Sequence, residues 1–546
     1  MAKRSIRGCG ARFARRRSRG PTVFQNDRPA FLHDEMSRTR AGRLEMSLDK
    51  FTRNTIFGLV ASLNSSLGSF LGLVIVGRML GPTGAGTVAI GIWLTGMAVT
   101  FADLGLPLTI ARFTPELMAQ GEMAYAEEIG PYFFRPILFS TTIVVGLFGE
   151  LALGGAQWFR ENLRLNVLSE SPDSIWLVIA FIFAVQALNN FGLSVLRGRQ
   201  SFDVAAKLTA ISLPLQLVAT GAGCFYAGAE GALVGYAMGS IACAGLALQY
   251  ARRTTGLPEN LRQRAWRFAV NNWGVGLISV IVWSRLEIGF LDYWRGAKEA
   301  GLFAVSYTLC NLAAQAPLLM TGGLLPLFAE RHALRDRRGL CDAYASAIRF
   351  VALLLFPACF GMAAIAPLFL PVLFGAEFAE ASASATVLIA MQAFGSISTV
   401  SSTLLLACEK SSFLVRTGLI GVVVSLLAGV TAIPAFGVMG AVATRSAVQS
   451  FLTLASFIYV AKALNLPFPL SKFARIVVAA IGCAVFARVI VLEWQAPAAL
   501  ALAIGSGAVV YGSLILMLNV LEPNELQLSR MLAGKVLFKA ALRKAS

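Results

Sequence analysis

The chain reads as an all-α polytopic membrane helix bundle: about 14 transmembrane helices in two pseudo-symmetric six-helix lobes, plus two extra helices. Three observations predict this. Apolar residues make up 56% and charged ones 14%, with a mean hydropathy of +0.68. That is too little charge to cover the surface of soluble domains of this length. The apolar residues gather into stretches of about 20, the length a helix needs to cross a hydrocarbon core. Lysine and arginine then alternate from one side of those stretches to the other.

The spans fall at 54–77, 84–106, 137–157, 175–196, 208–228, 231–250, 271–293, 300–325, 350–371, 384–407, 416–434, 438–461, 474–493 and 498–519. With the N-terminus inside, 39 of the 47 Lys and Arg residues lie on the cytoplasmic side. Five face outward: Arg78, Arg160, Arg164, Arg295 and Lys298. Arg285, Arg445 and Arg488 lie within spans. A wrong span count would scramble this parity, so the positive-inside bias predicts both number and orientation. Both termini are expected in the cytoplasm, in the manner of a bacterial inner-membrane protein.

A net charge of +18 invites a nucleic-acid reading. The charge is spread over a tail and loops without a folded basic domain, which favours membrane lipids as the partner and argues against nucleic acid. The eight cysteines form no C-x-x-C pair, and the two histidines, His33 and His332, are both cytoplasmic. No metal site and no cofactor is expected from such a set. No phosphate-binding G-x-x-x-x-G-K-[ST] loop occurs, and no loop exceeds about 30 residues, so a nucleotide-hydrolysing domain is excluded. The chain is not expected to be an enzyme.

Residues 1–50 form a basic cytoplasmic tail expected to be disordered, with seven arginines between Arg4 and Arg19 and no apolar signal region. A start at Met46 and a mitochondrial presequence are the other readings of this segment. Residues 51–255 make an N-lobe of spans 1–6, 256–465 a C-lobe of spans 7–12, and 466–522 spans 13 and 14. Residues 523–546 carry Lys535, Lys539 and Arg543 at helical spacing and read as an amphipathic cytoplasmic helix.

The lobes are inferred from an internal repeat. At an offset of 215, Gly81, Ala85, Gly86 and Ala89 meet Gly296, Ala300, Gly301 and Ala304. Later, Gly231-Ala232 opens span 6 as Gly440-Ala441 opens span 12, and Leu196–Phe202 after span 4 echoes Leu406–Phe413 after span 10. Six is an even number, so both copies enter from the same side. Two such bundles facing across a cleft can rock to alternate access.

Polar stripes at helical spacing mark either helix contacts or a hydrated cavity. They include Asn64 and Ser65 in span 1, Tyr307, Asn311 and Gln315 in span 8, Gln392 and Ser396 in span 10, and Arg445, Gln449 and Thr453 in span 12. Arg285 and Glu287 are two residues apart, about 200° around a helix, and cannot pair on one face. Each needs a partner on another helix, an aqueous cavity or a ligand. Asp103, at the cytoplasmic end of span 2, can pair with Arg112.

The segment Arg78-Met79-Leu80-Gly81, with Gly86 beyond it and Asp103-Leu104-Gly105 closing span 2, resembles the polysaccharide-transporter family of the multidrug/oligosaccharidyl-lipid/polysaccharide flippase superfamily. Ser284-Arg285-Leu286-Glu287 through Gly301-Leu302-Phe303 resembles the same family's later segment. There the family has aspartate where Glu287 stands and tyrosine where Phe303 stands. The likeness covers residues 46–520. It implies export of a lipid-linked oligosaccharide, a polyprenyl-diphosphate sugar, with polysaccharide polymerase and glycosyltransferases as partners. On that reading Arg285, Arg445, Gln449, Asn311 and Asn64 bind diphosphate and sugar, since guanidinium forks hold phosphates bidentately. Glu287 and Asp103 serve ion coupling or gating.

Three rivals remain. An ion-coupled multidrug or metabolite antiporter of the same superfamily would rely more on membrane carboxylates than this chain does. A major facilitator would carry G-x-x-x-D-[RK]-x-G in 107–136, and this chain does not. An oligosaccharide polymerase or ligase would need a large outer loop, whereas the longest here runs only from Trp158 to Ser174.

Overall fold

The structure, a computed structural model, describes residues 30–155, 173–252, 254, 256–283, 286–494 and 496–520. The first 29 residues, Arg285 and the expected amphipathic helix at 523–546 lie outside the described residues. Met1–Arg53 and Asn54–Ser546 are separate compact units, and residues 30–53 of the first are helical. All that follows concerns the second.

The described residues are helical throughout, with no strand among them. The helices are α1 (Ala30–Ala102), α2 (Leu106–Ala119), α3 (Met123–Glu150), α4 (Ser174–Gly198), α5 (Phe202–Met238), α6 (Ile241–Leu248), α7 (Glu259–Trp283) and α8 (Leu286–Arg295). They continue with α9 (Ala297–Leu319), α10 (Leu324–Ala333), α11 (Arg337–Phe374), α12 (Ser382–Ala407), α13 (Ser411–Ala463), α14 (Leu470–Glu493) and α15 (Ala498–Met517). Among the described residues, nine helices are long and apolar enough to cross a membrane.

Nine is fewer than the fourteen expected spans, for local reasons. Three of the nine, α1, α5 and α13, break at Gly81, Gly228 and Gly437; α1 and α13 each cover two expected spans, while α5 covers span 5 and the first half of span 6, which α6 completes. Spans 7 and 8 fall on α7, α8 and α9, which are shorter or begin among charges such as Glu259, Arg262 and Arg264.

The repeat is visible in the backbone. Gly228 has φ 57° and ψ −133°, and Gly437 has φ 55° and ψ −131°, 209 residues later. Beyond each glycine the chain doubles back on itself. A side chain on Gly231 would strike the Gly223 carbonyl, and one on Gly440 the Ala432 carbonyl, again 209 residues apart. Gln200 and Glu409, at the same offset, both adopt positive φ of 56° and 58°. Small residues are needed here because lipid supplies no hydrophobic drive between helices, so close backbone approach must.

Among the described residues four apolar clusters hold the bundle, two of them large. In one, Phe356 of α11, Phe394 of α12 and Phe473 of α14 meet edge to face, and Tyr344 shares a 2.8 Å hydrogen bond with Ser401. In the other, Phe113, Phe134 and Phe191 join α2, α3 and α4, with Ala265 and Ala269 of α7 packed among them.

Candidate functional site

A cavity of about 300 Å³ lies between the lobes. Ser65, Ser66, Ser69 and Phe70 of α1 form one wall, and Thr308, Asn311, Leu312 and Gln315 of α9 the other. Both sets sit near mid-span, and the pairs Ser65/Ser69 and Asn311/Gln315 repeat at one turn, which aims them together. Gln315 Nε2 donates to Ser62 Oγ at 3.5 Å, and Ser69 Oγ lies 3.2 Å from the Tyr236 hydroxyl. The described lining holds hydroxyls and carboxamides but no charge. Such groups donate to and accept from the hydroxyls of a neutral polar ligand.

Arg445 lies behind the α9 wall, 3% exposed, and is not among the cavity's described lining. Its Nη2 donates to the Tyr307 hydroxyl at 3.0 Å, and its guanidinium stands 5.2 Å from that ring's centre. Nη1 is 3.9 Å from Glu287 Oε1, a carboxylate only 2% exposed. Thus Glu287 of α8 finds its partner on α13, the first of the three alternatives open to it. Two opposite charges at this depth neutralise each other because neither can reach water. Phe303 stacks on Tyr307, one turn on, with ring centres 6.1 Å apart.

The other expected site residues are dispersed. Asn311 lines the cavity. Gln449 Nε2 donates to Gln392 Oε1 at 3.1 Å, and Gln392 to Ser396 Oγ at 3.0 Å, a chain that ties α13 to α12. Asn64 is half-buried outside the cavity lining, one residue and about 100° from Ser65. Asp103 Oδ1 accepts from the Gly105 amide at 2.8 Å. Arg112, offered as its partner, lies instead 4.3 Å over the Phe268 ring. Asp103 also borders a second cavity of about 200 Å³ with Arg197, Asn272 and Trp273. Ser66, Ser69 and Thr308 were not singled out from sequence; the turn spacing of Ser65 and Ser69 was the available clue.

The lobes touch at both ends of span 2. At one end a side chain on Gly86 would strike the Ala297 carbonyl, and one on Gly301 the Pro82 carbonyl. Both relations carry the offset of 215, so the contact is reciprocal. Arg78 joins it, donating to the carbonyls of Val372 and Leu373, which the end of α11 leaves without helical partners. At the other end a side chain on Gly105 would strike the Ala269 carbonyl, Trp273 Nε1 donates to Thr100 O at 3.1 Å, and Arg264 pairs with Glu116 at 2.5 Å. A polar cavity between two lobes that also touch at two seams is a layout compatible with alternating access.

Residues 51–332 match the family described as polysaccharide biosynthesis protein. The chain belongs to that family. Among its relatives is the "Probable low-salt glycan biosynthesis flippase Agl15" of Haloferax volcanii, 20% identical over 396 residues, which are 71% of this chain and 79% of that protein. The fold is similar to that of "Lipid II flippase MurJ, inward closed conformation", with a TM-score of 0.65 and 13% identity, covering 84% of this chain and 98% of that one. It is also similar to an inward-facing multidrug resistance MATE family transporter of the MOP superfamily, with a TM-score of 0.59 and 13% identity over 73% of this chain and 94% of that one. These family members and neighbours place the chain in a multi-pass membrane fold used for transport.

Proposed function

We propose that the protein flips a lipid-linked oligosaccharide, a polyprenyl-diphosphate sugar, across a bacterial inner membrane for polysaccharide biosynthesis. The observation that carries this reading is the uncharged, hydroxyl- and amide-lined cavity between α1 and α9, helices from two lobes that meet at both ends of span 2. Sugar hydroxyls find donors and acceptors on Ser65, Ser69, Asn311 and Gln315 while the prenyl chain stays in lipid. The functions of a sequence relative, a probable glycan biosynthesis flippase, and of a structural neighbour, a lipid II flippase, belong to the same chemistry. An antiporter would place a carboxylate in the cavity, and the described lining contains none. Transport proceeds without bond making, so no catalytic residue is assigned.

Arg285 and Arg445 remain the proposed diphosphate contacts. In the state described here Arg445 is already compensated by Glu287, so a diphosphate engages it only by displacing a carboxylate 3.9 Å away. Both termini are assigned to the cytoplasm, where glycosyltransferases would supply the substrate.

The test is to remove the protein from cells and assay lipid-linked sugar in each leaflet together with surface glycan. Loss should trap the sugar lipid in the inner leaflet, and Asn311→Leu with Gln315→Leu should cut surface glycan at least tenfold at matched protein levels. Normal surface glycan in cells lacking the protein overturns the proposal.

A further inference from the structure

A third pocket lies on the lipid-facing side of the bundle, between the C-lobe and α14, with no residue in common with the two cavities described above. Here α11, α12 and α14 enclose a groove of about 420 Å³, within the size range of ligand sites. Ala363, Ala364 and Ala390 form its floor, so the space exists because three neighbouring side chains end at Cβ. Ile481, Val485 and Val489 form its rim and are 47%, 58% and 51% exposed, as residues facing acyl chains are. Thr386 is already satisfied, donating to Ala363 O at 3.2 Å and to Ser382 O at 2.8 Å.

One charged side chain enters this apolar space. Arg488 Nη1 donates to the Ala364 carbonyl at 3.3 Å, and among the described residues no carboxylate pairs with it. A guanidinium has five N–H donors and does not lose its proton, so one carbonyl leaves most of its charge and donors to be met. Arg488 stands five residues before the end of α14, about 7.5 Å along the axis. That depth lets its long stem reach headgroup phosphates. The anion most abundant at that level of a bilayer is a lipid phosphate, and the groove beside it is shaped for hydrocarbon.

We infer that this groove is a binding site for one membrane phospholipid, its phosphate held by Arg488 and an acyl chain lying over Ala363, Ala364 and Ala390. The lipid is a resident of the C-lobe that fills the seam between α14 and the α11–α12 pair. It is not the transported substrate.

The test is native mass spectrometry of the full chain, purified in detergent and titrated with phosphatidylglycerol. The wild type should retain one lipid at concentrations where Arg488→Ala retains about a tenth as much, with Arg488→Lys between them. Ala390→Phe keeps the cation but fills the groove, and it should lose the lipid as well. Thermal unfolding of each variant confirms that the comparison is between folded proteins. Equal retention by Arg488→Ala or by Ala390→Phe overturns the inference, as does an adduct whose mass is that of a prenyl-linked glycan. The readout does not involve transport, so failure here leaves the flipping reading untouched.

Discussion

Arg445 shows how a charge is tolerated deep in a helix bundle. Among the described contacts Glu287 gives it an opposite charge and Tyr307 a hydroxyl, from two other helices, so removing the carboxylate takes a countercharge away from a buried cation. Glu287→Gln should therefore destabilise the protein by about 3 kcal/mol, the scale expected for breaking a buried pair. Glu287→Gln combined with Arg445→Met should recover most of the loss. Tryptophan-monitored thermal unfolding of the four proteins in the cycle decides it. Sequence reading reached half of this result. Spacing alone required Glu287 to look to another helix, but the choice of α13 depends on how three helices pack, which no local pattern encodes. Asn311 and Asn64 make the same point: both stand in polar stripes, yet only the one whose helical neighbours also face the opposite lobe reaches the cavity.

At the scale of elements, glycines decide where helices turn and how closely they approach. Gly228 and Gly437 share a backbone conformation that other residues enter at a cost of about 1–3 kcal/mol. Their surroundings differ. Nothing stands within 4 Å of an added Cβ at Gly228, whereas at Gly437 it would meet the Glu299 carboxylate that accepts from the Val438 amide at 3.0 Å. Gly437→Ala should accordingly lower the unfolding temperature more than Gly228→Ala. The seam at Gly86 and Gly301 makes a further prediction. Either glycine changed to alanine must part the same two helices, so each should widen that end of the molecule, measured between spin labels on the two lobes. The double variant should add little to either single one, because both act on one contact. Gly86 and Gly301 were legible early because a repeated Gly–Ala pattern at fixed offset is a local property; Gly228 and Gly437 were not singled out. How tightly two successive spans are joined was not legible, since nothing in composition distinguishes a tight glycine turn from a longer loop.

For the molecule as a whole, the alternation of basic loops predicts the orientation of every span at once. Single cysteines placed at Lys298 and at Arg335 in an otherwise cysteine-free chain should differ in intact cells. A membrane-impermeant thiol reagent should label the first and spare the second, and the reverse pattern would invert the assignment of sides. The bundle and its lobes could be read from hydropathy, charge and repetition because a membrane imposes those patterns on any chain that crosses it. The cavity could not, since it depends on which faces two non-adjacent helices present to each other. The reciprocal seam carries one more consequence. Pro82 meets Gly301 as Ala297 meets Gly86, which is the isologous contact that two identical chains make across a twofold axis. A six-helix ancestor could have formed this junction with a second copy of itself before its gene was duplicated and fused.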